Sequence, residues 1–205
     1  MRRRKEPVRA DHAGGGMSRM GAHFTLSVPG LTIRPARPED DVFCRVLSDA
    51  TLRAAWIGID MPDELQTALL VQQFEARRIG YRQSYPRAEY FIIAEREVAV
   101  GRLVVADEVG SDGQHDQGEP DAGAAGRSAE LALRLVDIAL LPAAQGRGIG
   151  REVIASLARA GREVGAQRLT LSVQPSNDRA RSLYLRLGFV ETDCEAFRQM
   201  TMRLD

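Results

Sequence analysis

The stretch VDIALLPAAQGRGIGR, residues 136–151, joins an apolar segment to a glycine-rich turn. The apolar segment ends at Pro142 and has the composition of a buried strand, and helical spacing of apolar residues begins at Gly148. In such a strand-turn-helix unit the first N–H groups of the helix lack intrahelical partners and point into the turn. Because the helix dipole adds positive charge there, the stretch predicts a phosphate-binding site.

The spacing of the glycines decides which phosphate ligand fits this turn. Gly146, Gly148 and Gly150 run as G-x-G-x-G, and Arg151 stands where a dinucleotide-binding fingerprint has its third glycine. A P-loop needs a lysine after its last glycine, and the only lysine of the chain is Lys5. The spacing therefore disfavours a Rossmann site and excludes a P-loop.

A second motif follows the glycine turn. Residues 145–150 fit the pattern Q/R-x-x-G-x-G/A, and residues 177–189 fit the pattern N-x-x-A-x-x-x-Y-x-x-x-G-F. Asn177 is the only asparagine of the chain, so background abundance does not explain the second match. With these two motifs in this order, the chain resembles the GNAT superfamily of acetyl-CoA-dependent N-acetyltransferases.

The second motif also has the pattern of a capped amphipathic helix. Ser176 or Asn177 is a good N-cap, and Gly188 is suited to a left-handed C-cap. Asn177 and Tyr184 lie nearly on one line of the helix, about 10 Å apart along its axis, so both could face one elongated ligand. The alternative for Tyr184 is a core-packing aromatic residue whose hydroxyl has a partner. The apolar stripe of this helix comprises Ala180, Leu183, Tyr184 and Leu187.

The rest of the chain mixes helical and strand patterns and predicts one α+β domain. Alternation and turn residues predict strands at 31–35, 90–95, 99–106, 131–141, 168–173, near 189 and at 200–204. Apolar residues at helical spacing predict helices after Pro38, at 63–81, at 148–164 and at 177–187. The resemblance implies the GNAT fold, a twisted, mixed and mostly antiparallel sheet that is splayed at its centre and flanked by helices.

The resemblance also implies how acetyl-CoA binds as a co-substrate. The pantetheine arm would lie in the splay, hydrogen-bonded to the backbone of Ile138, Ala139 and Leu140. The pyrophosphate would bind at the glycine loop, and the helix that begins near 177 would supply further contacts. The residues implied for the loop and the helix are Gln145, Gly146, Arg147, Gly148, Ile149, Gly150, Arg151, Asn177 and Ala180. No metal is implied.

The same resemblance implies that an amine attacks the thioester directly in a ternary complex, without an acyl-enzyme. Tyr184 stands at the position of the family's usual general acid, and the ordinary tyrosine pKa of about 10 keeps its proton available at neutral pH. Asp137, a single acid in an apolar run, is the first candidate for the general base, and Glu130 is the second. A structural role for Asp137, in which it pairs with Arg134 or caps backbone groups, carries equal weight.

The acceptor in this interpretation is a small-molecule or protein amine, and its identity stays open. Residues 40–87 would govern the choice, and Trp56, Tyr81, Arg82 and Tyr85 either line an acceptor site or serve packing and the surface. Two other functions also stay open. One is a non-catalytic acyl-CoA-binding or sensor module with the same fold, and the other is a nucleotide-binding protein that uses the glycine loop. The resemblance leaves a homodimer open as well.

Composition argues against several other classes of protein. The chain has 205 residues with 28 basic and 28 acidic side chains, and a net charge of zero argues against a general nucleic-acid-binding protein. No window is long and apolar enough for a membrane span, and the N-terminus lacks a secretory signal. We therefore expect a cytoplasmic protein without a membrane partner. Cys44 and Cys194 lack metal-ligand spacing and are given no role.

Two segments differ from the acetyltransferase domain that we predict for residues 31–205. Residues 1–30 form a basic leader with few large apolar residues, and we expect this leader to be disordered. Met17 or Met20 could be the true initiator. Residues 107–128 are rich in Gly, Asp and Gln, and this composition predicts a flexible acidic loop between two strands.

Overall fold

A computed structural model of the protein describes residues 20–109, 131–194 and 197–205. Its strands are β1 (Leu31–Pro35), β2 (Glu89–Glu95), β3 (Val98–Val109), β4 (Leu131–Leu140), β5 (Arg168–Val173), β6 (Val190–Cys194) and β7 (Arg198–Arg203). Its α-helices are α1 (Asp41–Ala55), α2 (Asp63–Ser84), α3 (Ile149–Glu163) and α4 (Asp178–Arg186). The strands form one sheet in the order β1-β2-β3-β4-β5-β7-β6, and all neighbours are antiparallel except β4 and β5. The predicted α+β class and the mostly antiparallel sheet are confirmed.

The sheet opens between its two parallel strands, as the resemblance predicted. The pairing of β4 with β5 ends at Leu135 and Leu171, whereas β4 continues to Leu140 along β3. A bulge lies at the point of separation, because Val104 pairs with Asp137 and Val105 with Leu135, which leaves Val136 as an extra residue. We call the opening beyond Leu135 the β4–β5 gap.

The two faces of the sheet are covered differently. The main core lies between α3 and the face that carries Leu103 and Leu133, with Leu157 of α3 fully buried against them. Successive strand residues point to opposite faces, so Arg102 and Val104 lie on the other face. Helix α1 contacts β3 and β4 and packs against α2. The two sides of the β4–β5 gap are therefore lined by different residues.

Local sequence signals explain where several elements begin and end. The carboxylate of Asp40 accepts hydrogen bonds from both Nη atoms of Arg34 at 2.7 Å and from the backbone N–H of Arg37 at 2.7 Å, which joins the end of β1 to the start of α1. Arg96 and Glu97 have positive φ angles of 49° and 69° and form the predicted tight turn between β2 and β3.

Part of the predicted leader belongs to the folded domain. Residues 20–30 run along α3: Met20 is only 2% exposed, and the Phe24 ring packs edge-on against Phe91 with centroids 5.0 Å apart. The backbone N–H of Ser27 donates to Glu152 Oε1 at 2.6 Å. These contacts anchor the segment to α3, and residues 1–19 of the leader lie outside the described residues.

Strand β3 extends into the predicted acidic loop. It ends at Val109 rather than at Ala106, so residues 107–109 are paired with β4. Residues 110–128 of the predicted loop lie outside the described residues. None of the helices that the structure describes is long and apolar enough to cross a membrane.

Candidate active site

The glycine loop leads from β4 into α3 in the predicted way. Gly146 and Gly148 have φ angles of 76° and 82°, a left-handed conformation that favours glycine. Gly148 is the N-cap of α3 and has no side chain with which to cap the helix. The backbone N–H of Glu152 donates to the backbone oxygen of Gly148 at 3.1 Å and closes the first turn of the helix. The N–H groups of residues 149–151 come before this hydrogen bond and face the loop.

Three arginines surround this loop. Arg147 makes a bidentate ion pair with Glu95, with N···O distances of 2.7 and 2.9 Å, and hydrogen bonding to Arg147 lowers the pKa of that carboxyl. Arg151 is exposed in the first turn of α3. Arg179 of α4 donates to Gln145 Oε1 at 3.3 Å, and sequence reasoning missed it, although it lies within the second motif. Arg151 and Arg179 thus add positive charge beside the loop, whereas the charge of Arg147 is paired with Glu95.

The loop is anchored to the open end of β4. Gln145 Nε2 donates to the backbone oxygen of Leu140 at 3.0 Å. Ile138, Ala139 and Leu140 pair with β3 on one edge and have no strand partner on the other edge among the described residues. In an antiparallel pair the backbone groups of alternate residues point away from the partner strand. This part of β4 therefore offers backbone groups to the gap, and their predicted contact with a pantetheine arm stays a prediction.

Helix α4 carries the second motif on the far side of the gap. Asn177 caps the helix, since its Oδ1 accepts from the backbone N–H of Ala180 at 3.1 Å. Gly188, with a φ angle of 96°, follows the last turn in the predicted left-handed conformation. The contacts described for Asn177 and Ala180 are thus those of a helix cap. Their predicted contact with a cofactor stays a prediction.

Tyr184 is both a core residue and a titratable group near the gap. It is 8% exposed and packs edge-on against Phe189, with ring centroids 5.7 Å apart. Burial, with a further contribution from the negative charge of Asp137, raises the pKa of Tyr184 to about 12. Its hydroxyl therefore keeps its proton at neutral pH, as a general acid must.

Asp137 has a partner that sequence reasoning missed. Its Oδ2 accepts from Arg102 Nε at 3.1 Å and from Arg102 Nη2 at 2.7 Å, and the two side chains are 16% and 10% exposed. The predicted structural alternative named Arg134, which pairs elsewhere, so the ion pair forms but with a different arginine. The available signal was a single arginine in the apolar run VAVGRLVVA at 98–106. Arg102 neutralises a carboxylate that would otherwise be costly to bury.

The tyrosines that we predicted near the acceptor divide between two places. Burial, with a further contribution from the charge of Asp137, raises the pKa of Tyr81 above the ordinary tyrosine range. Tyr85 instead accepts a hydrogen bond from Arg134 Nε at 2.9 Å. Arg82 is exposed, and Trp56 is half-buried at the end of α1. Both tyrosines thus lie on the face of the sheet that carries Asp137.

Glu130, the second candidate for the base, lies outside the described residues. Among the described residues, no group of three or more His, Cys, Asp or Glu side chains is arranged to hold a metal ion.

Comparison with known proteins agrees with this arrangement. The family model described as the acetyltransferase (GNAT) family matches residues 59–189. The uncharacterized N-acetyltransferase YycN of Bacillus subtilis (strain 168) is 37% identical over 59 residues, which are 29% of this chain and 38% of that relative. The chain thus matches well under half the length of this curated relative.

Two solved structures have a similar fold at low sequence identity. PaiA N-acetyltransferase from Thermoplasma acidophilum, solved in complex with coenzyme A, superposes with a TM-score of 0.60 at 14% identity and covers 84% of this chain and 98% of its own. An acetyltransferase from Thermus thermophilus gives a TM-score of 0.51 at 22% identity, with 86% and 98% covered. These similarities support the fold.

Proposed function

The chain belongs to the acetyltransferase (GNAT) family, and we propose that it transfers the acetyl group of acetyl-CoA to a primary amine by direct attack in a ternary complex. One observation carries the proposal: the β4–β5 gap has the cationic glycine loop at one end and the Tyr184 hydroxyl beside it. An elongated thioester co-substrate with a pyrophosphate fits an opening of this kind.

The proposed binding mode follows from what the residues around the gap can offer. The pyrophosphate lies at the N-terminus of α3, where Arg147, Arg151 and Arg179 supply charge. The pantetheine arm lies along the open edge of residues 138–140 and pairs with their backbone as a strand would. A backbone N–H there polarises the thioester carbonyl.

In the proposed reaction the acceptor enters on the side of Asp137. The Asp137 carboxylate attracts the acceptor ammonium and takes a proton from it, which frees the nitrogen lone pair. The nitrogen then attacks the thioester carbon, the C–S bond breaks, and Tyr184 donates its proton to the departing thiolate. The second proton of the nitrogen leaves the new amide and restores the Tyr184 phenol, and Asp137 releases the first proton to solvent. With a pKa of about 12, Tyr184 stays protonated until the thiolate forms.

The experiment is turnover of acetyl-CoA against a panel of amines, followed by thiol release. We expect Tyr184→Phe to lower kcat by about a hundredfold or more, the usual range for loss of a general acid, with acetyl-CoA binding retained. Tyr90→Phe is the matched control, because Tyr90 is half-buried on β2. Equal turnover by Tyr184→Phe would remove Tyr184 from the mechanism.

The same experiment separates the enzyme from a binding module. Calorimetric binding of acetyl-CoA without acetylation of any amine would favour an acyl-CoA sensor. If NAD or ATP raised the Tm more than CoA does, the glycine loop would instead be a nucleotide site.

A further inference from the structure

A polar cluster lies next to the gap on the sheet face opposite α3. Leu169, Leu171 and Val173 of β5 belong to the core on the α3 side, so Thr170 and Ser172 point to the other face. Residues from α2, β3, β4 and β7 meet them there. The members of this Arg134 cluster are Arg134, Tyr85, Glu108, Thr170, Ser172 and Gln199.

The hydrogen-bond partners of the Arg134 guanidinium differ in charge. Its Nη1 donates to Glu108 Oε1 at 3.2 Å, a charged partner. Its Nη2 donates to the hydroxyl of Ser172 and to Gln199 Oε1 at 3.4 Å, both neutral oxygens. Ser172 is exposed, whereas the Arg134 side chain is only 15% exposed. The end of the guanidinium that points toward solvent thus has only neutral partners among the described residues.

The bulge at Val136 places Arg134 on the same face as Asp137. Without the extra residue, positions three apart in a strand would point to opposite faces. With it, Arg134 pairs with Ala106 and Asp137 with Val104, two residues apart on β3. Two strand residues span about 7 Å. A cation and a carboxylate therefore stand side by side at the mouth of the gap, at a spacing suited to a small zwitterion.

Further charged side chains lie on the sheet face that carries Arg134 and Asp137. Asp137 and Glu108 are each already engaged by an arginine. On α2, the positive charges of Arg77 and Arg82 reach the hydroxyls of Tyr81 and Tyr90 respectively. Neither arginine has a carboxylate partner in the part of the chain that the structure describes. These two arginines add positive charge to this side of the sheet.

We propose that the acceptor is a small amine that also bears a carboxylate, and that Arg134 binds this carboxylate. This inference rests on the proposed acetyl transfer. The acceptor carboxylate replaces the neutral oxygens of Ser172 and Gln199 on Arg134 Nη2, while the acceptor ammonium faces Asp137. A charged acceptor on a guanidinium forms a shorter and stronger hydrogen bond than a neutral one.

The test compares each acceptor carboxylate with its neutral amide, with rates expressed per free amine, because the carboxylate also raises the pKa of the amine. Glycine, β-alanine and 4-aminobutyrate are each assayed against the corresponding amide, with acetyl-CoA as donor. We expect kcat/KM to be about tenfold or more higher for the carboxylate form at the best chain length. Equal or faster acetylation of the amides would overturn the inference and leave the proposed function standing. Acetylation of no amine at all would overturn both.

Variants assign the preference to the Arg134 cluster. Arg134→Gln should bring the carboxylate-to-amide ratio of kcat/KM close to one, whereas Arg203→Gln, exposed at the far end of β7, should keep the wild-type ratio. Because Arg134→Gln alters a nearly buried network, Ser172→Asp is a second variant at an exposed position. It places a carboxylate on Arg134 Nη2 and should abolish the preference, while Ser172→Asn should keep it. An unchanged ratio in Ser172→Asp would contradict the assignment.

Discussion

At the scale of single residues, Tyr184 and Asp137 show how burial prepares a side chain for chemistry. Tyr184 is buried against Phe189, and this environment favours its neutral form. The Asp137 carboxyl, which is 16% exposed, lies against the Arg102 guanidinium at 2.7 Å. In the proposed mechanism the first side chain donates a proton and the second accepts one.

The raised pKa of Tyr184 makes stability depend on alkaline pH. The pKa is about 12 in the folded protein and about 10 in an unfolded chain, so the unfolded state loses its proton first. The contribution of Tyr184 to the free energy of unfolding is fully present below pH 10 and is lost as the pH rises toward 12. Across that window the wild type should lose about 2 kcal/mol more than Tyr184→Phe in urea unfolding. Parallel losses in the two proteins would contradict the burial argument.

The pair of Arg102 and Asp137 should be strongly coupled. Arg102→Met leaves the Asp137 carboxylate without its partner, and we expect a loss of about 3 kcal/mol in the free energy of unfolding. Removing both charges in Arg102→Met with Asp137→Leu should recover part of that loss. Urea unfolding of the two single variants and the double variant measures the coupling, and additive losses would mean that the pair is not coupled.

At the scale of elements, the central feature is the separation of β4 from β5. The bulge at Val136 both begins the gap and brings Arg134 and Asp137 to one face. The open end of β4 is in turn held by β3, and Gly101 of β3 lies under it. A Cβ at Gly101 would be 2.6 Å from the backbone oxygen of Ala139 and 2.5 Å from Leu140 Cδ2. The position of the proposed pantetheine-binding edge depends on this close approach.

Gly101→Ala should therefore affect both stability and cofactor affinity. The backbone oxygen of Ala139 must move to make room, and we expect a loss of about 1–3 kcal/mol in unfolding free energy with a raised KM for acetyl-CoA. Gly80→Ala in α2 is the matched control, since a Cβ there meets nothing within 4 Å. That control should be neutral or stabilising by up to about 1 kcal/mol, because alanine favours a helix. An unchanged free energy of unfolding and an unchanged KM for acetyl-CoA in Gly101→Ala would show that β4 tolerates displacement.

At the scale of the whole molecule, the sequence predicts what is local and misses what the sheet brings together. The glycine loop, the cap at Asn177 and the turn at Arg96 depend on neighbouring residues, and the structure has them as predicted. The partner of Asp137 lies 35 residues away on another strand. Strand register and a bulge decide such a contact, and neither has a signature in the residues of one strand alone.

The N-terminal segment is the other feature that appears only in the whole molecule. Residues 20–30 have few large apolar side chains, yet Met20 and Phe24 pack onto the core beside α3. Deleting residues 1–30 should lower the Tm by several degrees relative to deleting residues 1–19, because burial of these two side chains is lost. Equal Tm values for the two truncated proteins would show that the segment adds nothing to stability.

In the proposed mechanism an amine takes the acetyl group directly from acetyl-CoA. The most direct measurement is a single turnover with excess enzyme, isotopically labelled acetyl-CoA and the best acceptor amine, quenched at intervals and separated into protein and small molecules. Direct transfer predicts that the label passes to the amine as free CoA appears, with none bound covalently to the protein. Label that accumulates on the protein before it reaches the amine, or that never reaches the amine, would contradict it.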